Sequence, residues 1–281
     1  MSGAPGETRI GAQVFRWGAR TYVMGILNVT QDSFSGDGLL RAGAEAGIAA
    51  AVAQARAMAD EGADMLDIGG ESTRPGHAPV DAEEELRRVV PVVRAVREAL
   101  PAMALTVDTT KPAVAAAALD AGADAINDVW GVSRDDALPR LAAERRVPIV
   151  LMHNRVEPRY NDLMREILAD LQGAIERATS AGVPSAGIIV DPGFGFGKTP
   201  EQNLVLLREL DSLRRLGQPI LLGTSRKSTL GLVLDLPPVE RVEATLATTV
   251  LGIAAGVDIV RVHDVRENVR AARMADAVVR R

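Results

Sequence analysis

The chain has 281 residues, 47% of them hydrophobic and 3% aromatic, with a formal net charge of −5. An acidic balance gives no general attraction to nucleic acid, so positive charge for any anionic ligand has to be gathered locally. With no cysteine, disulfides and thiolate metal sites are excluded. The longest uncharged run, Ala244 to Val257, is too short to span a bilayer. The opening MSGAPGETRIG lacks the apolar core of a secretory signal. A cytoplasmic protein that engages neither nucleic acid nor membrane is therefore expected.

In chain order, RIGAQVFRWGARTYVM predicts an N-terminal hairpin over 9–21, with Phe15 and Trp17 placed to plug the bottom of the fold. Short apolar runs then recur at 22–29, 65–69, 104–109, 125–129, 147–153, 187–192, 219–225 and 258–263. Longer Ala-rich runs separate them. Ile48, Val52, Ala55 and Met58 repeat at helical spacing, as do Leu86, Val89, Val93 and Val96. Pro112 and Pro200 suit first turns, and Gly62, Gly122, Gly182, Gly217 and Gly256 suit helix ends. Continuous apolar strands belong to a parallel sheet covered on both faces. Eight strands and eight helices in strict alternation predict a single-domain (β/α)8 TIM barrel over 1–281.

In such barrels the active site gathers at the C-terminal strand ends. Here those ends carry Asn28, Asp67, Asp108, Asn127 with Asp128, His153, Asp191, the stretch GTSRKS (223–228), and Arg261 with His263. An unpaired buried polar group costs about 1–3 kcal/mol, so a whole ring of them points to a small polar ligand. Plainer readings stand beside this one. Asp67, just ahead of Gly69-Gly70, reads as a loop cap, and Glu71 as a loop-stabilising acceptor. Thr109-Thr110 suits either helix capping or a ligand, and His153 a satisfied rim histidine. Gly223 to Lys227 fits a phosphate cradle or an ordinary loop, and Asp128 is unassigned. Arg261 and His263 lie two apart on one strand and share a face. An inward arginine needs an anion or a carboxylate. In DPGFGFGK (191–198), the glycines allow backbone to pass close to a planar ring, Phe194 suits a loop anchor, and Lys198 is expected to be solvated.

Seven stretches together carry a family resemblance: GILNVTQDSFSGDG (25–38), DIGGESTRPG (67–76), VDTTKP (107–112), INDVWG (126–131), DPGFGFGK (191–198), GTSRKS (223–228) and RVHDV (261–265). In order and spacing the chain resembles the dihydropteroate synthases. The resemblance implies a barrel enzyme, usually a homodimer, that condenses 6-hydroxymethyl-7,8-dihydropterin diphosphate with p-aminobenzoate, releasing diphosphate, with Mg2+ accompanying the diphosphate. It assigns Asp108, Asn127, Asp191, Lys227 and part of Arg261 to the pterin. Asn28, Arg74, Arg261 and His263 would meet the diphosphate, with the Mg2+ at Asn28. Thr73, Pro75, Phe196, Lys227 and Ser228 would lie near the aminobenzoate. Catalysis would rest on Arg74, Asp108, Lys227, Arg261 and His263. Gln31, Thr110 and Asn154-Arg155 depart from the commoner family pattern. A methyltransferase that keeps the pterin acids is the nearest rival, and STRPG, SRKS and RVH speak against it.

Overall fold

The computed structural model describes residues 6–29, 44–71, 80–131 and 136–280. Gln31, Thr73, Arg74 and Pro75 lie outside them. An antiparallel hairpin, β1 (Glu7–Ile10) and β2 (Gln13–Arg16), comes first. It begins two residues before the expected 9–21 span and ends at Arg16, because Gly11 takes a left-handed φ of 58° and turns the chain there.

Eight parallel strands come next: β3 (Tyr22–Asn28), β4 (Met65–Gly69), β5 (Ala104–Asp108), β6 (Ala125–Asp128), β7 (Ile149–Met152), β8 (Ile188–Asp191), β9 (Leu221–Leu222) and β10 (Ile259–Val262). Each pairs with its neighbour in sequence from β3 to β8, β10 pairs with both β3 and β9, and a bridge from Val190 to Ile220 closes the ring. The expected (β/α)8 barrel is the observed fold. Outside it lie α1 (Ala44–Asp60), α2 (Ala82–Ala99), α3 (Pro112–Ala121), α4 (Ala137–Arg145), α5 (Leu163–Ser180), α6 (Pro200–Arg208), α7 (Ser228–Leu234), α8 (Val242–Ala254) and α9 (Val265–Val279). The predicted start and stop signals operate. Pro112 opens α3, Thr199 and Gln202 form a reciprocal capping box on α6, and left-handed Gly122 ends α3. Strict alternation fails once. Two helices, α7 and α8, lie between β9 and β10, because Asp235 turns left-handed (φ 55°) and Pro237-Pro238 prevents continuation.

The inside of the barrel has two levels. Met24, Met65, Ala104, Ala125, Val150, Ile189, Leu221 and Ile259, one from each strand, form an apolar floor. Ile10, Phe15 and Trp17 join the same cluster, so the hairpin plugs the barrel bottom as expected. Two residues further along a strand, the next side chain on the same face is met. That step leads from Met65 to Asp67, Ala104 to Thr106, Ala125 to Asn127, Ile189 to Asp191 and Ile259 to Arg261. The polar level is thus the strand register read one step above the floor. Asp128 has the opposite parity; it is buried, and its Oδ1 accepts from the Trp130 amide (3.1 Å). No helix among the described residues is long and apolar enough to cross a membrane.

Candidate active site

Arg261 organises the polar level. Its Nε donates to Asp67 Oδ2 (2.6 Å) and its Nη2 to Asp108 Oδ2 (2.8 Å). Asp67 also accepts from Asn127 Nδ2 (2.9 Å) and from the Thr106 hydroxyl. The inward arginine therefore has two carboxylate partners within the chain. Asp67 is not a loop cap. It is fully buried between three donors, and its main partner lies 194 residues away in sequence, where local spacing gives no signal. Burial works against the charge on Arg261, but the two carboxylates outweigh it and hold its pKa above the ordinary value.

Asp108 stands in a row that the strand register draws across the mouth: Asn28, Gly69, Asp108 and Asn127 are successive partners. Burial pushes the Asp108 carboxyl up to about 8. Arg261 opposes the shift, and the charge of Asp67 adds to it. Its Oδ1 is buried without a partner among the described residues. Such an atom is costly unless a ligand donor meets it.

Asp191 ends β8. Its Oδ1 accepts from the Gly193 amide (2.7 Å), and burial raises its pKa against the pull of Lys227. Gly193, Gly195 and Gly197, further along the loop, all take left-handed φ, at 69°, 81° and 56°. Phe194 is fully buried and anchors the loop. Lys227 reaches across from the end of β9. It donates to the Phe194 carbonyl, its ammonium lies 4.4 Å from the Phe196 ring centroid, and its stem lies against Gly195. A Cβ on Gly223 would make only ordinary contacts, 3.7 Å from Arg261 Cβ and 3.9 Å from Lys227 Nζ, so both cations lie beside the end of β9. Ser228 opens α7 directly after Lys227. His263 Nδ1 lies 2.9 Å from Ser225 Oγ, which also accepts from the His263 amide (3.1 Å). Ser225 thus fixes the orientation of the His263 ring at the end of β10.

Several plainer readings are decided. Glu71 accepts from the Val80 amide (3.1 Å) and from Lys111, so it braces the β4 loop. Thr109 accepts from the Lys111 amide (3.2 Å), local turn chemistry at the start of α3. His153 is satisfied, with Nε2 facing Asp170 and Nδ1 facing Lys198. Lys198 is not solvated. Its Nζ donates to the Gly193 and Phe196 carbonyls, each at 3.0 Å. The structure brings Asp108, Asn127, Asp191, Lys227 and Arg261 together at the C-terminal strand ends, with Asn28, Phe196 and His263 at the rim, while Ser228 is exposed at the start of α7. Thr73, Arg74 and Pro75 fall outside the described residues.

A barrel mouth whose carboxylates share one guanidinium at the C-terminal strand ends defines a class, the barrel enzymes that act on a small polar ligand. Comparison with known proteins gives that class its name. Residues 24–263 match the family of pterin binding enzymes. The dihydropteroate synthase of Clostridium beijerinckii is 51% identical, over 97% of this chain and 100% of the relative. The crystal structure of a Clostridium difficile dihydropteroate synthase in the presence of pteroic acid superposes with a TM-score of 0.89 at 49% identity, covering 95% of this chain and 100% of that one. A Xanthomonas albilineans dihydropteroate synthase with 4-aminobenzoic acid gives 0.89 at 42% identity, covering 97% and 98%. The chain belongs to the dihydropteroate synthase family, transferases of folate synthesis.

Proposed function

We propose that the chain transfers the pterinylmethyl group of 6-hydroxymethyl-7,8-dihydropterin diphosphate to p-aminobenzoate, giving 7,8-dihydropteroate and diphosphate. The observation that carries this reading is the polar level itself. The carboxylates of Asp108 and Asp191 and the amide of Asn127 face one space, with Arg261 fixed between Asp67 and Asp108. A pterin edge offers an amino group and a ring N–H side by side, and a carboxylate accepts both in parallel. Asp191 suits that role, and the orphaned Asp108 Oδ1 would meet a further ring donor. The glycines of this loop make room for protein and not for the ring, since a Cβ on Gly193, Gly195 or Gly197 would meet His153, Lys227 or Arg155; Phe196 under the Lys227 ammonium suits a wall for the aminobenzoate.

In the reaction the bond from the pterin CH2 to the diphosphate oxygen breaks, the bond from the arylamine nitrogen to that carbon forms, and the amine loses a proton. Arg261, His263 and Arg74 would stabilise charge gathering on the leaving diphosphate. The carboxylates offset positive charge that develops on the ring in an SN1-like departure. Mg2+ takes about six oxygen ligands and retains water readily. Asn28 offers one amide oxygen at the rim, and the described residues contain no cluster of three acidic or imidazole ligands. That donor set fits an ion that arrives on the diphosphate, where it would neutralise leaving-group charge.

The proposal includes a cytoplasmic location and a homodimer. Its support is an apolar face formed by α6, α7 and α8, where Val233 and Leu251 are each at least 59% exposed and line a groove of about 810 Å3. An exposed patch of this kind marks an association surface. The activity is tested by mixing the protein with the pterin diphosphate, p-aminobenzoate and Mg2+ and measuring diphosphate and dihydropteroate. Equimolar formation of both is expected. Failure to form either, or turnover only with a corrinoid and a methyl donor, would overturn the reading.

A further inference from the structure

We propose that Lys198 is a positioning residue for the arylamine substrate: from behind the glycine loop it holds the Gly193 and Phe196 carbonyls, and so sets where Phe196 stands at the mouth. The inference rests on the functional reading above.

The geometry around its ammonium is complete. Nζ lies 3.0 Å from the Gly193 carbonyl, the Phe196 carbonyl and His153 Nδ1. On the far side of the ring, His153 Nε2 faces Asp170 Oδ2 at 3.2 Å. The carboxylate fixes the ring proton on Nε2, which makes Nδ1 an acceptor. Three ammonium protons thus meet three acceptors. Lys227 takes the Phe194 carbonyl from the other direction. Two lysines therefore divide the carbonyls of residues 193, 194 and 196 between them, and a loop with three left-handed glycines is pinned from both sides.

The segment after β7 completes the brace. Tyr160 donates its hydroxyl to the Gly197 carbonyl (2.8 Å). Arg155 is clamped to α5 through Glu166 (2.7 Å) and Asp170 (2.8 Å), and it stacks 4.5 Å over the Tyr160 ring. A Cβ on Gly193 would overlap the His153 carbonyl oxygen, and one on Gly197 would overlap that of Arg155. The two loops are fitted backbone to backbone, and Lys198 is the charged group at their junction.

The charged and titratable groups around it are Asp191 on β8, Lys227 ahead of α7, His153 and Arg155 after β7, and Asp170 on α5. Burial lowers the Lys198 pKa to about 7, with Asp191 opposing and Lys227 and Arg155 reinforcing the shift. Burial, aided by Lys198, takes His153 down to about 3, so the imidazole stays a neutral acceptor. Once Lys198 loses its proton it has two donors for three acceptors, and the brace loosens.

The test is steady-state release of diphosphate with p-aminobenzoate varied, for the wild type, Lys198→Met and Tyr160→Phe. Loss of the three ammonium contacts, which the substrate feels only through the position of Phe196, is expected to raise the p-aminobenzoate KM about tenfold in Lys198→Met, with kcat within about threefold, and loss of the one Tyr160 contact to raise it roughly threefold in Tyr160→Phe. The wild-type KM should rise between about pH 6 and about pH 9, and that rise should be absent in Lys198→Met. An unchanged KM in Lys198→Met, even with a lower melting temperature, would reduce Lys198 to a structural group and overturn the proposal. Should Lys198→Met not fold, an unchanged KM in Tyr160→Phe would do the same. A wild-type protein that releases no diphosphate from the two substrates would overturn the functional reading, and this inference with it.

Discussion

Asp191 enters ligand binding with one oxygen already held by the Gly193 amide. Asp191→Asn can keep that bond through its carbonyl oxygen while presenting a donor to the pterin edge. Losing one charged hydrogen bond and gaining one donor–donor clash should cost roughly 3–5 kcal/mol, or two to four powers of ten in pterin affinity by titration calorimetry. Binding within threefold of the wild type would make this aspartate structural. Arg261→Lys tests the fork. An ammonium cannot reproduce the two directed bonds to Asp67 and Asp108, so kcat/KM should fall by about 1.5–3 kcal/mol of transition-state binding, and the melting temperature with it. Asp108 gives a pH signature. Its folded pKa of about 8 lies above the ordinary carboxylate value, so its contribution to stability is present in acid and is lost as pH rises through about 4 to 8. Asp108→Asn removes that loss. Its melting temperature relative to the wild type should climb across this window while activity disappears, and a flat difference would show that Asp108 is ionised throughout. Most of these residues are legible at strand ends because parity and the active-site end of a barrel are local rules. Asp67 and Lys198 escape such a reading because their meaning lies in partners brought close only by the fold.

The hairpin and the eight strands are legible as elements, since apolar runs bounded by glycine and proline need only short-range sterics. What escapes is α7. Strict alternation expects one helix between β9 and β10, and left-handed Asp235 with Pro237-Pro238 ends α7 after seven residues. The hairpin has a measurable function as an element. Phe15 lies 4.8 Å edge-on to Tyr22 and 5.8 Å stacked on Trp17, by ring centroids, under the apolar floor. Phe15→Ala should destabilise the protein by about 3–5 kcal/mol, read as a lower denaturant midpoint. kcat at low temperature should stay close to wild type, because the floor separates the plug from the polar level. A large loss of kcat without loss of stability would mean that the plug communicates with the mouth.

For the whole molecule, the apolar face of α6 to α8 is the feature with no partner in a single chain. Leu251→Glu places a charge in its middle and should convert a dimer to a monomer in sedimentation analysis, with the barrel still folded by circular dichroism. A monomeric wild type would remove the homodimer from the proposal. The contact between Gly193 and the His153 carbonyl has a different reach. Because no side chain fits between the loops after β7 and β8, neither can change its backbone path without the other. Two segments separated by α5 and β8 then behave as one heritable unit. Recombinants between relatives that inherit both loops from one parent should retain activity. Those that split them, taking 153–162 from one parent and 191–198 from the other, should be strongly depleted, even where every individual residue is common to active enzymes.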